Sequence, residues 1–221
     1  MGKINKANLV KWILAFVPII IVFYFYKSLP EQIPVHWDMD GTVRYGSRMN
    51  LWINASMGVV FALLFPVLRK IDPRRKNYDK FGKYYDEFQI FMMLFFIAIT
   101  SVIVSESMNP GRLNVEMVIV LMVGMLFTVL GNMMPKFKNN FFVGIKTPWT
   151  LSSDEVWGKT HRLGGILWFF GGLSIIASAL LLKGTGLFVA ITVIVAVIAI
   201  IPVAMSYVWY KKINKGGHDA I

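Results

Sequence analysis

Six apolar runs, at 12–26, 51–68, 88–104, 117–134, 163–182 and 187–210, constrain this chain more than anything else in it. A helix needs about 20 apolar residues to cross a hydrocarbon core. A soluble domain of 221 residues has no interior large enough to hide six such runs. Charge is correspondingly scarce: charged residues are 16% of the chain and hydrophobic ones 56%, whereas soluble domains carry about 25% charged residues. The fold class expected is an all-α membrane protein of six transmembrane helices, a single polytopic membrane domain over 1–221. The first run is short, and Lys11 and Lys27 are expected to snorkel outward and lengthen it. Pro18 and Pro202 fall inside runs, where neighbouring helices can satisfy the freed carbonyls.

The distribution of basic residues orients the spans. With the N-terminus inside, Lys and Arg gather at 3–11, 69–83, 136–162 and 211–215 on the inner side. Of the 23 in the chain, only Lys27, Arg44, Arg48, Arg112 and Lys183 fall outside. Both termini are therefore expected in the cytoplasm. The net charge of +11 then reads as inner loops facing anionic lipid rather than nucleic acid. No small-x-small cleavage site follows the first run, so it is expected to stay attached as a span. Lys6 stands where a myristoylation signal needs Ser or Thr. With no cysteine, disulfides and thiolate metal sites are excluded.

Three connections are long enough to carry structure. In the outer loop 27–50, Pro30 and Pro34 forbid helix. Val35, Trp37 and the run Thr42-Val43-Arg44-Tyr45 flank Asp40-Gly41, which predicts a small extracellular hairpin between the first two spans. Tyr78, Phe81, Tyr85 and Phe88 form one stripe of a helix beside Lys80 and Lys83, the pattern of an amphipathic helix lying at the membrane interface. The inner segment 134–162 interleaves the breakers Pro135, Asn139, Asn140, Gly144 and Pro148 with apolar Phe141, Phe142, Val143, Ile145 and Trp149. A loop so apolar is expected to fold back on the helix bundle or dip into the headgroups. Ser152 and Glu155 have capping-box spacing, with Leu151 and Val156 as the staple, so a helix should start near Ser153.

Little in this sequence looks catalytic. The spans carry no Asp, Glu, Lys, Arg or His in their central portions, which argues against proton-coupled chemistry. There is no His-Glu-x-x-His helix and no Gly-x-Ser-x-Gly elbow, so an enzyme is not expected, and neither is a cofactor. His36, Asp38 and Asp40 would share one face of a strand and offer ligands that zinc accepts. As a calcium loop the same stretch fails, because Ser47 stands where Glu is needed. A polar turn with solvated acids is the better reading, so no metal is expected. Asn54, Gly58 and Ala62 repeat at four, as do Ser174 and Ser178, a spacing that lets helices approach closely in lipid. Asn132, beside Gly131, is placed to satisfy the backbone of the broken inner segment. His161 and His218 suggest no role.

Gly131-Asn132, Pro135-Lys136, Asn140, the run Gly144-Ile145-Lys146-Thr147-Pro148-Trp149-Thr150 and Trp157 resemble the hallmark stretch of the SdpI-type immunity protein family. Upstream, Leu29-Pro30-Glu31-Gln32-Ile33-Pro34-Val35-His36-Trp37 is similar to that family's first outer loop. Downstream, Ser206-Tyr207 and Tyr210-Lys211-Lys212 resemble its C-terminal end. Lys146 departs from the Arg common there, giving a point charge instead of a bidentate fork.

The resemblance implies a multi-pass protein of the bacterial plasma membrane that protects its producer against a secreted, membrane-active toxin peptide. It also implies signalling, with the toxin-engaged protein holding a cytoplasmic transcriptional repressor at the inner face. On that reading Pro30, Pro34, His36, Trp37, Asp38 and Asp40 face the toxin. Asn132, Lys136, Lys138, Asn140, Gly144, Lys146, Thr147, Pro148, Trp149, Thr150 and Trp157 form the inner partner surface. Membrane lipid is the remaining partner, and no direct nucleic-acid contact is expected. A small-solute or lipid-handling transporter, its cavity lined by the broken backbone near Asn132, is the alternative.

Overall fold

The computed structural model describes residues 6–37 and 42–216. In chain order these form α1 (Lys6–Phe25), β1 (Gln32–Trp37), β2 (Val43–Ser47), α2 (Asn50–Ile71), α3 (Tyr78–Met108), α4 (Val115–Met133), a short α5 (Pro148–Ser152), α6 (Asp154–Leu181) and α7 (Gly184–Gly216). Single 3-10 turns precede α3 at Arg75–Asn77 and follow α4 at Met134–Lys136. Six of the helices, all but α5, are long and apolar enough to cross a membrane. Phe23, Tyr24, Phe170, Leu181 and Ile200 stand exposed along them, as side chains do when the solvent is lipid. Each of these six helices overlaps one of the apolar runs; each begins before its run, while α1, α4 and α6 end one residue short of theirs. The described residues fall into two compact units, Met1–Val67 with Asp86–Met122, and Leu68–Tyr85 with Val123–Ile221.

In the first unit a two-stranded antiparallel hairpin joins α1 to α2. Pairing runs from Gln32 opposite Ser47 to Trp37 opposite Val43, and the register shifts between Pro34 and His36. Proline has no N–H to donate, so a bulge beside Pro34 is the expected response. Ile33 inserts from β1 into a cluster with Val22, Leu29, Leu51, Ala55 and Val104. Arg48 completes the seat: its guanidinium donates to the carbonyl of Leu29 at 3.0 Å and lies 4.8 Å from the Tyr26 ring centre. The turn of the hairpin, with Asp38, Asp40 and Gly41, lies outside the described residues.

The helices of this unit approach closely where their residues are small. A Cβ on Gly58 would come within 2.9 Å of the Ala15 carbonyl oxygen, and Ala62 joins Ala15 and Met93 in a buried cluster. Asn54 accepts a 2.8 Å hydrogen bond from Thr100. The repeat at four is thus a packing seam, as its spacing predicts. Glu106, also buried, closes the turn between α3 and α4 by accepting the N–H groups of Gly111 (2.5 Å) and Leu113 (3.3 Å).

Lys11 departs from expectation. Its side chain does not snorkel; it is buried, with Nζ 2.9 Å from Asp86 and 3.3 Å from Gln89. The helix continues back to Lys6, so Lys11 is a full turn inside it and meets α3 before it can reach water. A buried ammonium needs a paired carboxylate, and Asp86 supplies one.

The second unit brings α4 and α6 together through glycines. A Cβ on Gly124 would lie 2.9 Å from the Gly172 carbonyl oxygen, and one on Gly165 would lie 2.8 Å from that of Gly131. Ser174 of the Ser174–Ser178 pair is exposed, so the α4–α6 contact runs through the glycines, whose lack of a side chain brings the two backbones together. The aromatic stripe also turns out differently. Tyr78, Phe81 and Tyr85 are buried and pack on one another, with Phe81 against Phe137 at 5.6 Å. These residues belong to the first turns of α3 itself, which bends at Phe81 (φ −133°, ψ 15°). They form a protein core where an interfacial helix would have immersed them in lipid headgroups.

Replacing Asp86 with leucine leaves the Lys11 ammonium buried and unpaired. The expected cost is about 3 kcal/mol, read as a lower thermal unfolding midpoint in mild detergent. Adding Lys11→Met should recover most of it, and an undiminished loss in the double variant would contradict the pairing.

Candidate functional site

Between the end of α4 and the start of α6 the chain makes almost no regular structure, yet much of it is buried. Phe137, Asn139, Asn140, Thr147 and Thr150 are all shielded from solvent. Their backbone groups have no ladder to join, so each needs another partner. Asn140 supplies four contacts alone. Its Oδ1 accepts the N–H groups of Phe142 (2.9 Å) and Val143 (2.7 Å), and its Nδ2 donates to the carbonyls of Lys138 (2.8 Å) and Val143 (2.9 Å). Asn139 donates to the Thr150 carbonyl (3.2 Å) and to Asp154 (2.8 Å).

A second set of partners comes from the turn ahead of α3. Asp72 is 2% exposed. Its Oδ1 accepts the N–H of Arg74 at 2.7 Å, and its Oδ2 accepts the N–H of Phe141 (2.9 Å) and the hydroxyl of Tyr78 (3.0 Å). Arg74 donates from Nη2 to the Leu151 carbonyl (2.6 Å) and lies over the Phe141 ring. Asn77 donates to the Asn139 carbonyl at 2.7 Å. One buried carboxylate thus ties the turn at 72–78 to the segment at 139–151.

The stretch 144–150 is a single construction. Gly144 has φ +115°, a conformation that side chains oppose. A Cβ there would run into Nε2 of His161 and lie 3.2 Å from the Trp157 ring. His161 accepts the N–H of Ile145 at Nε2 (3.0 Å), and its Nδ1 faces the Trp157 carbonyl at 2.8 Å. Those two bonds require a neutral imidazole with the proton on Nδ1. Trp157 stacks on that ring at 3.9 Å and donates from Nε1 to the Phe137 carbonyl (2.9 Å).

Thr147 caps α5, accepting the N–H of Thr150 (3.1 Å), while the Thr150 hydroxyl accepts the N–H of Thr147 (2.9 Å). Pro148 takes the first helical position, where no N–H is needed. This is the capping box of the segment. The expected box of Ser152 and Glu155 does not form: Ser152 ends α5, and Ser153 caps α6 by accepting the N–H of Val156 at 3.3 Å. The five-residue α5 uses Ser152 up, so the cap shifts by one. Finally, the Thr147 hydroxyl lies 3.2 Å from that of Ser206, and Trp149 rests on Tyr207 with ring centres 5.0 Å apart.

The residues singled out from the sequence therefore separate into two groups. Asn140, Gly144, Thr147, Pro148, Trp149, Thr150 and Trp157 are framework: the side chains of Asn140, Thr147, Thr150 and Trp157 bond to backbone or to α7, and the Trp149 ring rests on Tyr207. Lys136, Lys138 and Lys146 are exposed; Lys136 sits over the Tyr84 ring and Lys146 donates to the Phe142 carbonyl at 3.1 Å. Asn132 is exposed on α4 and takes no part in these bonds. Asn139 and Asn140 satisfy the segment instead, because the chain turns back only after Phe137. In the hairpin, Pro30 and His36 are exposed, Trp37 is half-buried and Pro34 is buried. Asp38 and Asp40 lie outside the described residues, and among those described no group of His, Asp or Glu could hold a metal.

Asp72, Arg74, Asn77, Asn139 and His161 carry the site without having been singled out for it. Asp72 precedes a proline in a basic run, a turn signal that reads as solvated polarity until a partner segment arrives. His161 gave no signal, since a lone histidine at a helix end resembles any other.

Residues 136–206 match the SdpI/YfhL protein family, and residues 13–59 match a domain of unknown function, DUF1648. Over 210 residues the chain is 25% identical to the immunity protein SdpI of Bacillus subtilis (strain 168), covering 95% of this chain and 98% of that protein. No solved structure matches. The resemblance drawn from the 131–157 stretch, the first outer loop and the C-terminal end is borne out by these likenesses. The chain is a multi-pass bacterial membrane protein.

Two substitutions test the framework. Gly144→Ala combines a forbidden φ with a collision on His161 and should cost about 2 kcal/mol or more. Asn140→Asp keeps the acceptors and removes both donors, at roughly 1–3 kcal/mol for the carbonyls left unpaired. Both should speed proteolysis within 137–150 in detergent. Cleavage no faster than in the parent protein would show that the segment does not depend on them.

Proposed function

We propose that this chain is a membrane immunity protein, protecting the cell that makes it against a secreted, membrane-active toxin peptide. The observation that carries the reading is the alignment with a protein named for immunity along nearly the full length of both chains. The physical character of the molecule suits the role. The sequence-based orientation gives the hairpin to the outer face and the 134–162 segment to the cytoplasm. Protection of this kind asks for a surface that meets the toxin and a rigid bundle behind it, and neither requires a catalytic group.

The same reading extends to signalling. Lys136, Lys138 and Lys146 project from a segment held by many side-chain-to-backbone hydrogen bonds, so they present charge without the entropy cost of a loose loop. A small transcriptional repressor with an acidic face is the partner that such a surface suits. The toxin would meet the hairpin through Pro30, His36 and Trp37.

Expression in a toxin-sensitive strain should raise survival at least tenfold over an empty vector, and equal killing would refute protection against that toxin. Lys136→Gln/Lys138→Gln/Lys146→Gln should keep survival near the parent level and abolish induction of a repressor-controlled reporter. Loss of both together would place these lysines in protection itself. A reporter fused after Ile221 should report the cytoplasm; a periplasmic signal would invert the assignment of the two faces.

A further inference from the structure

The tight turn between α2 and α3 borders an open cleft of about 580 Å³, lined by Lys70, Arg74, Arg75 and Lys76 with Asp72 and Asp154. Four cations thus face two carboxylates, which leaves an excess of positive charge, and neither carboxylate is ion-paired with these cations among the described residues. Asp72 is buried with both oxygens engaged by Arg74 N–H, Phe141 N–H and the Tyr78 hydroxyl. Asp154 accepts from Asn139 at 2.8 Å. Elsewhere in this unit exposed cations do find acids: Arg69 pairs with Asp79 at 3.1 Å and Lys159 with Glu155 at 2.7 Å. Among the described residues, Lys70, Arg75 and Lys76 have no such partner. Arg74 keeps one nitrogen, Nη1, buried and without an acceptor, although Nη2 is bonded to Leu151.

Concavity separates this cluster from an ordinary basic loop. A solvated loop spreads its charges to reduce their repulsion, whereas here the Asp72 bonds hold the turn closed and keep the cations around one hollow. Its place matters too. Lys70 is in the last turn of α2, and α3 begins at Tyr78, so the cleft lies just beyond the apolar length of α2, where a bilayer spanned by that helix would have its headgroups.

We propose that this cleft binds a phosphate-bearing anion, with Lys70, Arg75 and Lys76 as its contacts and Arg74 as its anchored floor. The chemistry required is a compact group with clustered phosphate oxygens, supplied by an anionic glycerophospholipid headgroup or by a free phosphate ester. The site uses none of the residues assigned to toxin or repressor contact and stands apart from the immunity reading.

The test uses the full-length protein in mild detergent, incubated with phosphatidylethanolamine and phosphatidylglycerol at 3:1, followed by native mass spectrometry of retained lipid. Each basic side chain at an anionic membrane surface changes affinity roughly fivefold. Arg75→Gln/Lys76→Gln should therefore lower phosphatidylglycerol retention by about tenfold or more. Lys211→Gln/Lys212→Gln, which removes the same charge from the end of α7, should leave it near the parent level.

Glycerol phosphate and inorganic phosphate, added as competitors, separate the two sources. No displacement at millimolar concentration identifies the lipid headgroup, and displacement identifies a soluble phosphate. Lys70→Gln alone provides a milder second variant. Equal retention by the parent and both cleft variants, or equal loss in the cleft and α7 variants, would overturn the proposal.

Discussion

Unpaired backbone at the end of a membrane helix bundle is the difficulty that organises the second unit. From Phe137 to Thr147 the chain is neither helix nor sheet, and each buried N–H or carbonyl left without a partner costs roughly 1–3 kcal/mol. Side chains provide the partners. Asn140 binds backbone on both sides of itself, Asp72 takes Phe141, His161 takes Ile145, and Trp157 reaches back to Phe137. Because these bonds share residues, none is independent. The Asp72 carboxylate that receives Phe141 also receives Tyr78, and Tyr78 packs on Phe81 and Tyr85.

A segment held this way has one inner and one outer character. Most of its inner polar atoms are engaged with backbone, and the exposed chemistry around it is the lysines at 136, 138 and 146 and, from the neighbouring turn, the cations at 70–76. Both sets of cations stand on backbone that other residues hold still. Charge presented on a fixed support loses little entropy when it meets an oppositely charged group, and close spacing of like charges raises its attraction for anions. The 144–150 stretch is thus a structural support, its polar side chains turned to backbone and to α7. Thr147 and Thr150 would be poor contact residues, since their hydroxyls are engaged with each other, with Ile145 and with Ser206.

The first unit solves a different problem with different means. Some of its polar groups meet a specific partner across helices, Lys11 with Asp86 and Thr100 with Asn54, while Ser56, Ser101 and Ser107 turn back to carbonyls of their own helix. Where no polar partner exists, small residues bring the backbones together, as Gly58 does against Ala15. Lipid gives helices little hydrophobic reason to associate, so contact area and internal hydrogen bonds must do it. The hairpin belongs to this unit through Ile33 and Arg48, which seat it on the ends of α1 and α2.

Six helices long and apolar enough to span a membrane could be read directly from the order of residues, because bilayer thickness imposes a length and hydropathy that few other structures need. The hairpin, the fold-back of the 134–162 segment and the small-residue seam at Gly58 were legible for a similar reason: proline, glycine and spacing act locally. What local chemistry does not contain is the identity of a neighbour. Lys11 reads as a snorkelling lysine until α3 brings Asp86 to it, and Tyr78, Phe81 and Tyr85 read as interfacial until Phe137 folds over them. His161 carries no signal at all until Gly144 lies against its ring. Helix length and chain reversal follow from each residue and its few neighbours along the chain. Pairing across dozens of positions is settled only when the elements pack, because burial and hydrogen bonding depend on which surface arrives opposite.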